Sequence, residues 1–170
     1  LSADRVSVVW SGVNRPQLPA LEREPLILYV GSILNRRHIP ELIRAFAQVT
    51  QRIPTAQLIL VGDNRSHPHQ DLAQLAAAAG IEDRVTVRSY VNESELAVLY
   101  ARAMVFVFLS EYEGFGFPPL EAMAAGVPTI VGDTAVAREL YLAASCRVEV
   151  DDVIGIATCI TELIENPTKR

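Results

Sequence analysis

Two glutamates, Glu113 and Glu121, stand on either side of the stretch Gly114-Phe115-Gly116-Phe117-Pro118-Pro119-Leu120. Glycines let a backbone approach a ligand closely, and free N–H groups at a helix start, with the helix's partial positive charge, attract phosphate. Pro118 and Pro119 have no N–H, so the available donors are Gly114, Phe115, Gly116, Phe117 and Leu120. A carboxylate about one turn into the helix, Glu121, accepts two hydroxyl hydrogen bonds, as a vicinal diol requires. Glu113 precedes the glycines. The pair is therefore expected to flank a diphosphate in one shared cradle, with a ribose toward one end and a hexose toward the other.

Such a cradle needs a scaffold that delivers its loops to one edge. Apolar runs at residues 26–30, 57–61, 85–88, 105–108 and 129–131 read as strands, with 147–150 as a further candidate. Between them lie helical patterns at 39–52, 71–79, 93–103, 120–125, 135–142 and 153–165. In the first, Ile39, Leu42, Ile43, Phe46 and Val49 share one face. Gly80 is expected to end the second helix in the left-handed conformation. Asn92 and Glu95 are expected to form a capping box at the start of the third, so the triplet Asn92-Glu93-Ser94 reads as a helix start rather than a glycosylation acceptor. Strands that are apolar throughout, alternating with helices, predict a Rossmann-like α/β fold with a doubly wound parallel sheet. Ligands of such sheets sit beyond the carboxyl ends of the strands. The segments there run from Gly31 to Arg37, from Gly62 to Asn64 and from Ser110 to Phe117.

At 170 residues and 50% hydrophobic, the chain is long enough for one full core. Its formal charge of −5 excludes a general positive field for nucleic acid or an acidic membrane surface. No apolar run approaches the roughly 18 residues of a membrane span, and the first ten residues do not read as a signal peptide. Cys146 and Cys159 have no CxxC or metal-ligand spacing and read as free thiols of a reducing compartment. His67 and His69, near Asp63 and Asp71, read as loop residues rather than metal ligands. Residues 6–10 are a candidate strand. Residues 1–24 are expected to be the end of a preceding lobe and a linker, with residues 25–170 the folded domain.

The whole string from Ser110 to Gly126 resembles the signature of retaining glycosyltransferase family 4, whose members carry two glutamates separated by seven residues, as here. The segment Tyr29-Val30-Gly31-Ser32-Ile33 is similar to the family's first strand and turn, and Leu58-Ile59-Leu60-Val61-Gly62 to its second. Asp83-Arg84-Val85 and Tyr90-Val91 are similar to the part that meets the nucleotide base. The resemblance implies the C-terminal half of a GT-B fold that holds a nucleoside diphosphate sugar. Glu121 would bind the ribose hydroxyls, Glu113 the transferred sugar, and Gly114, Phe115, Gly116, Phe117 and Leu120 the sugar and phosphates. Gly31 would lie in the phosphate turn, where Ser32 stands in place of an arginine found in many members. Arg36 and Arg37 match a basic pair of one subgroup and would face the phosphates, since preorganised cations stabilise a departing diphosphate. Glu113 and Arg37 are the expected catalytic residues.

By the same resemblance the reaction is hexose transfer with retention, a GDP-mannose-type donor is favoured, and no metal or other cofactor is needed. The acceptor would be a glycan or a lipid-linked sugar of cell-envelope polysaccharide synthesis. It would be bound by an N-terminal domain not present in this chain, without which the chain is expected to be inactive. The location implied is the cytoplasm, with any peripheral membrane contact made through that other domain. Two rival classes fit poorly. A nicotinamide-dependent oxidoreductase needs G-x-G-x-x-G after the first strand, where Gly31 is followed by Ser-Ile-Leu-Asn-Arg. A phosphoacceptor receiver needs carboxylates there, and residues 29–35 contain none. A noncatalytic nucleotide-binding module of the same fold is the remaining alternative.

Overall fold

The computed structural model describes residues 5, 7, 9–141 and 144–169. Six strands form one sheet: β1 (Glu24–Val30), β2 (Gln57–Val61), β3 (Val85–Arg88), β4 (Ala103–Phe108), β5 (Thr129–Gly132) and β6 (Ser145–Val148). Six α-helices alternate with them: α1 (Ile39–Arg52), α2 (Leu72–Ala78), α3 (Glu93–Arg102), α4 (Phe117–Ala124), α5 (Ala135–Leu140) and α6 (Val153–Glu165). The strand order is β3-β2-β1-β4-β5-β6 and every pairing is parallel. This is the doubly wound arrangement expected from the sequence. Chain order reverses between β1 and β4, so the crevice that such sheets use for ligands opens beyond those two strands.

The central strands explain the layering. Ile27, Leu28, Tyr29, Val105, Phe106 and Val107 are all fully buried, which requires helices on both faces of the sheet. Helix α1 supplies Ile39, Leu42, Ile43, Phe46 and Val49 to one layer, as its spacing predicts. The caps also follow the sequence. Asn92 Oδ1 accepts from the Glu95 amide at 2.9 Å while Glu95 Oε2 accepts from the Asn92 amide at 3.1 Å, completing the box. Gly80 follows α2 at φ +68°. Asp71, Thr134 and Asp152 cap α2, α5 and α6.

Arg23, just before β1, anchors the amino end of the sheet. Its guanidinium donates to the carbonyls of Ala103, Ala125 (3.3 Å) and Gly126 (3.0 Å), at the carboxyl ends of α3 and α4. A cation suits those exposed carbonyls.

Four expectations need correction. Of the candidate strand at 6–10, Val6 and Val8 lie outside the described residues, and Ser7, Val9 and Trp10 belong to no strand. Helix α4 starts at Phe117 rather than at 120, because prolines fit the first helical turn, whose amides need no partner. The last strand is Ser145–Val148, two residues earlier than expected; the end of the helix expected at 135–142 falls on residue 142, outside the described residues. Cys146 and Cys159 are not free thiols but form a disulfide between β6 and α6. Thirteen positions of separation conceal that the chain doubles back, so that α6 packs over β6.

Candidate functional site

The turn after β1 brings two arginines to the switch point. Gly31 leaves the strand at φ +144°, and a Cβ there would run into the Arg37 guanidinium. A short 3-10 turn, Asn35–Arg37, then passes through His38 in the left-handed conformation (φ 50°) into α1. Arg37 is 9% exposed; its guanidinium lies over the Phe108 ring at 4.6 Å. Arg36 lies over Tyr112 at 4.6 Å. The two converge on one atom: Glu113 Oε1 is 2.7 Å from Arg36 and 3.0 Å from Arg37. Ser110 completes the cluster. Its hydroxyl lies 2.8 Å from the same carboxylate oxygen and accepts from Arg36 at 2.7 Å. Arg36 also donates to the Tyr112 carbonyl at 2.7 Å, and the buried Arg37 Nε has no hydrogen-bond partner. His38 Nε2 lies 2.7 Å from Glu111, tying the loop after β4 to the start of α1.

The glycine turn comes next. Gly116 has φ +86°, and a Cβ on it would strike the Tyr141 hydroxyl. That hydroxyl donates to the carbonyls of Gly116 (3.0 Å) and Phe115 (3.3 Å), so the turn is tied down by its carbonyl side. Burial and the nearby Glu113 charge push the Tyr141 phenol up to about 12, which keeps it a donor at neutral pH. The amides of Gly114, Phe115 and Gly116 have no backbone acceptor among the described residues. They lead into the positive end of α4.

Beyond the turn lies a cleft of about 720 Å³, lined among others by Asn14, Glu93, Ser94, Tyr100, Phe117 and Glu121. Glu113 is not among its lining residues; it borders a separate, very small hollow with Ser110, Thr134 and Tyr141. The two glutamates, expected to share one cradle, line different hollows here. The glycine turn runs between them, and Glu113 turns toward the arginine pair.

The remaining expected residues are placed unevenly. Gly31, Arg36, Arg37 and Glu113 come together, and Phe117 reaches the cleft with Glu121. Ser32 is half-buried, with its carbonyl accepting from Tyr29 at 2.8 Å. Leu120 packs against the core. Tyr90 is 78% exposed and Val91 is buried, and neither lines the cleft. His67 and His69 are exposed, and Asp63 pairs with Arg65 at 2.8 Å. Sequence reasoning placed Ser110 in a ligand-facing segment without giving it a contact, and passed over Phe108, Tyr100 and Tyr141. For Ser110 the signal was its place directly after β4. The other three are ordinary core residues in the sequence, and only the fold brings them to the site.

A doubly wound, all-parallel sheet whose chain order reverses between β1 and β4 is a Rossmann-like α/β fold of the GT-B kind. Residues 12–170 match the family model described as glycosyl transferases group 1, and the chain belongs to that family. It is 29% identical to the O-antigen chain mannosyltransferase RfbU of Salmonella typhimurium, over 98% of this chain and 46% of that protein. It is 28% identical to the GDP-mannose-dependent alpha-(1-6)-phosphatidylinositol monomannoside mannosyltransferase of Mycolicibacterium smegmatis, over 85% of this chain and 40% of that one. The fold matches that of an S. aureus TarM mutant solved with UDP among its ligands, at a TM-score of 0.80 and 17% identity, covering 93% of this chain and 32% of that one. The chain thus spans less than half the length of the curated relatives it matches. No helix among the described residues is long and apolar enough to cross a membrane.

Proposed function

We propose that this chain is the donor-binding domain of a retaining, family 4 glycosyltransferase, and that it holds a nucleoside diphosphate hexose without a metal. The observation that carries this reading is the convergence of Arg36 and Arg37 on one carboxylate oxygen at the switch point. Glu113 occupies the place of an anion between the two guanidiniums. A diphosphate entering beside the free amides of the glycine turn takes over the two guanidiniums and releases Glu113 toward the sugar. As the sugar departs, Arg37 and Arg36 stabilise the growing charge on the diphosphate, and Glu113 orients the hexose. Glu121, in the open cleft, accepts the ribose hydroxyls.

The relatives that transfer mannose support a GDP-mannose-type donor and an acceptor that is a growing glycan or a lipid-linked sugar. Residues 1–24 serve as the linker to an acceptor-binding lobe, and the chain alone binds donor without turning it over. Calorimetric titration with GDP, UDP, ADP and NAD in the presence of a chelator tests the reading. A nucleoside diphosphate should bind, and binding should be lost in Glu121→Ala and in Arg36→Ala. Preference for NAD, or binding that needs a divalent ion, overturns it.

A further inference from the structure

Tyr100 sits in the last turn of α3 with its ring against Phe106, centroids 6.2 Å apart. The residue is 3% exposed and its hydroxyl closes no hydrogen bond of good geometry, although Glu121 stands close enough to act on it. A buried phenol O–H without an acceptor is costly and needs a reason. Tyr100 and Glu121 line the same cleft, and no salt bridge among the described residues engages Glu121. Burial first, then the charge of Glu121 and hydrogen bonding to it, push the Tyr100 phenol above its ordinary range, so at neutral pH it is an O–H donor beside Glu121.

We infer that Tyr100 is a positioning residue for Glu121: its hydroxyl is placed to donate to one carboxylate oxygen, which leaves the other for a sugar diol in the cleft. The inference rests on the donor-site reading above. A carboxylate on a flexible stem loses rotamer freedom when it binds, and a fixed donor behind it removes part of that cost in advance. The ring of Tyr100 is held by the core and its carbonyl accepts from Arg23 at 3.4 Å, so the donor is rigid.

The test uses the intact chain, the variants Tyr100→Phe, Glu121→Gln and their double, and whichever of GDP, UDP and ADP binds most tightly, with its 2′,3′-dideoxy analogue. Phenylalanine keeps the ring, and a melting curve verifies the fold. Tyr100→Phe should weaken the ribonucleotide about tenfold, as one charge-assisted hydrogen bond would. It should leave the dideoxy analogue nearly unchanged and add no loss on top of Glu121→Gln. Equal weakening of both nucleotides, or losses that add in the double variant, would mean a merely structural tyrosine and overturn the inference. If Glu121→Gln weakens the ribonucleotide and Tyr100→Phe does not, only the role of Tyr100 falls. If Glu121→Gln has no effect, the donor-site reading falls and takes this inference with it.

Discussion

The two glutamates that look equivalent in the sequence live in opposite surroundings. Glu113 is enclosed by Arg36, Arg37 and Ser110, every contact at 3.0 Å or less, with aromatic rings behind both guanidiniums. Glu121 borders a cleft of about 720 Å³ and shares it with the Tyr100 phenol, which closes no hydrogen bond of good geometry. One half of the site is an ion-paired cluster, and the other is an open cleft whose carboxylate has no ion-pair partner among the described residues. The first should therefore govern both stability and binding, the second binding alone.

Removing Arg37 is the strongest way to test that contrast. Arg37→Ala takes a guanidinium from beneath Glu113 and empties the space over Phe108. Breaking a buried pair by deleting one partner costs about 3 kcal/mol or more, and nucleoside diphosphate binding should fall beyond detection. Glu121→Ala should also abolish that binding yet change stability by no more than about 0.5 kcal/mol. Urea unfolding of both variants decides the matter. Equal destabilisation would erase the distinction between the two halves.

The glycine turn that separates them comes second. Gly116→Ala forces a side chain into a left-handed position and against the Tyr141 hydroxyl, at an expected cost of about 2 kcal/mol. Tyr141→Phe removes that obstacle along with the hydrogen bonds to Gly116 and Phe115, and should cost about 1 kcal/mol. Combined, the two substitutions should destabilise by less than their sum, because they relieve each other. Strict additivity in thermal melts would mean that the tyrosine does not set the shape of the turn.

This division explains what the sequence made legible. Local patterns were readable where each residue answers to its neighbours: α1 from its apolar face, the Asn92–Glu95 box, Gly80, and strands such as Gln57–Val61. Within the site, the residues after β1 and β4 could be named because parallel sheets place ligands at strand ends. What stayed hidden depends on distant parts meeting. Nothing in the spacing of Cys146 and Cys159 tells that β6 and α6 touch. Nor does spacing tell that Glu113 prefers two arginines more than 70 positions away to the cleft that Glu121 lines. Tyr100 and Tyr141 read as core residues because most of each is core, and only their hydroxyls belong to the site.

The wall of the open cleft offers a smaller test. Glu93 and Ser94 line it from the first turn of α3, which Asn92 caps. Asn92→Ala should cost about 1 kcal/mol, the usual worth of a cap, and should loosen the cleft without touching the Arg36–Glu113 pair. Nucleotide binding should weaken by a small factor, and the thermal midpoint should fall by a few degrees. A loss as large as that of Arg37→Ala would mean that the two halves are mechanically one.

The smallest effect is a pH dependence confined to the cleft's side. The Asn92 amide and Arg88 hold the Glu95 carboxyl below its ordinary range. Its pKa is lower folded than unfolded, so its contribution to stability is present above the unfolded value of about 4.3. The contribution fades as pH falls through that value and then through the folded one. Because the Glu95 side chain is 42% exposed, the slope is shallow and salt-sensitive. Unfolding curves between pH 7 and pH 3 should flatten slightly in Glu95→Gln relative to the parent chain, and carboxyl NMR titration should find Glu95 below a model peptide. If Glu95 titrates at its ordinary value, the capping box does not hold in solution, and α3 is not the fixed wall that the contrast with the arginine cluster requires.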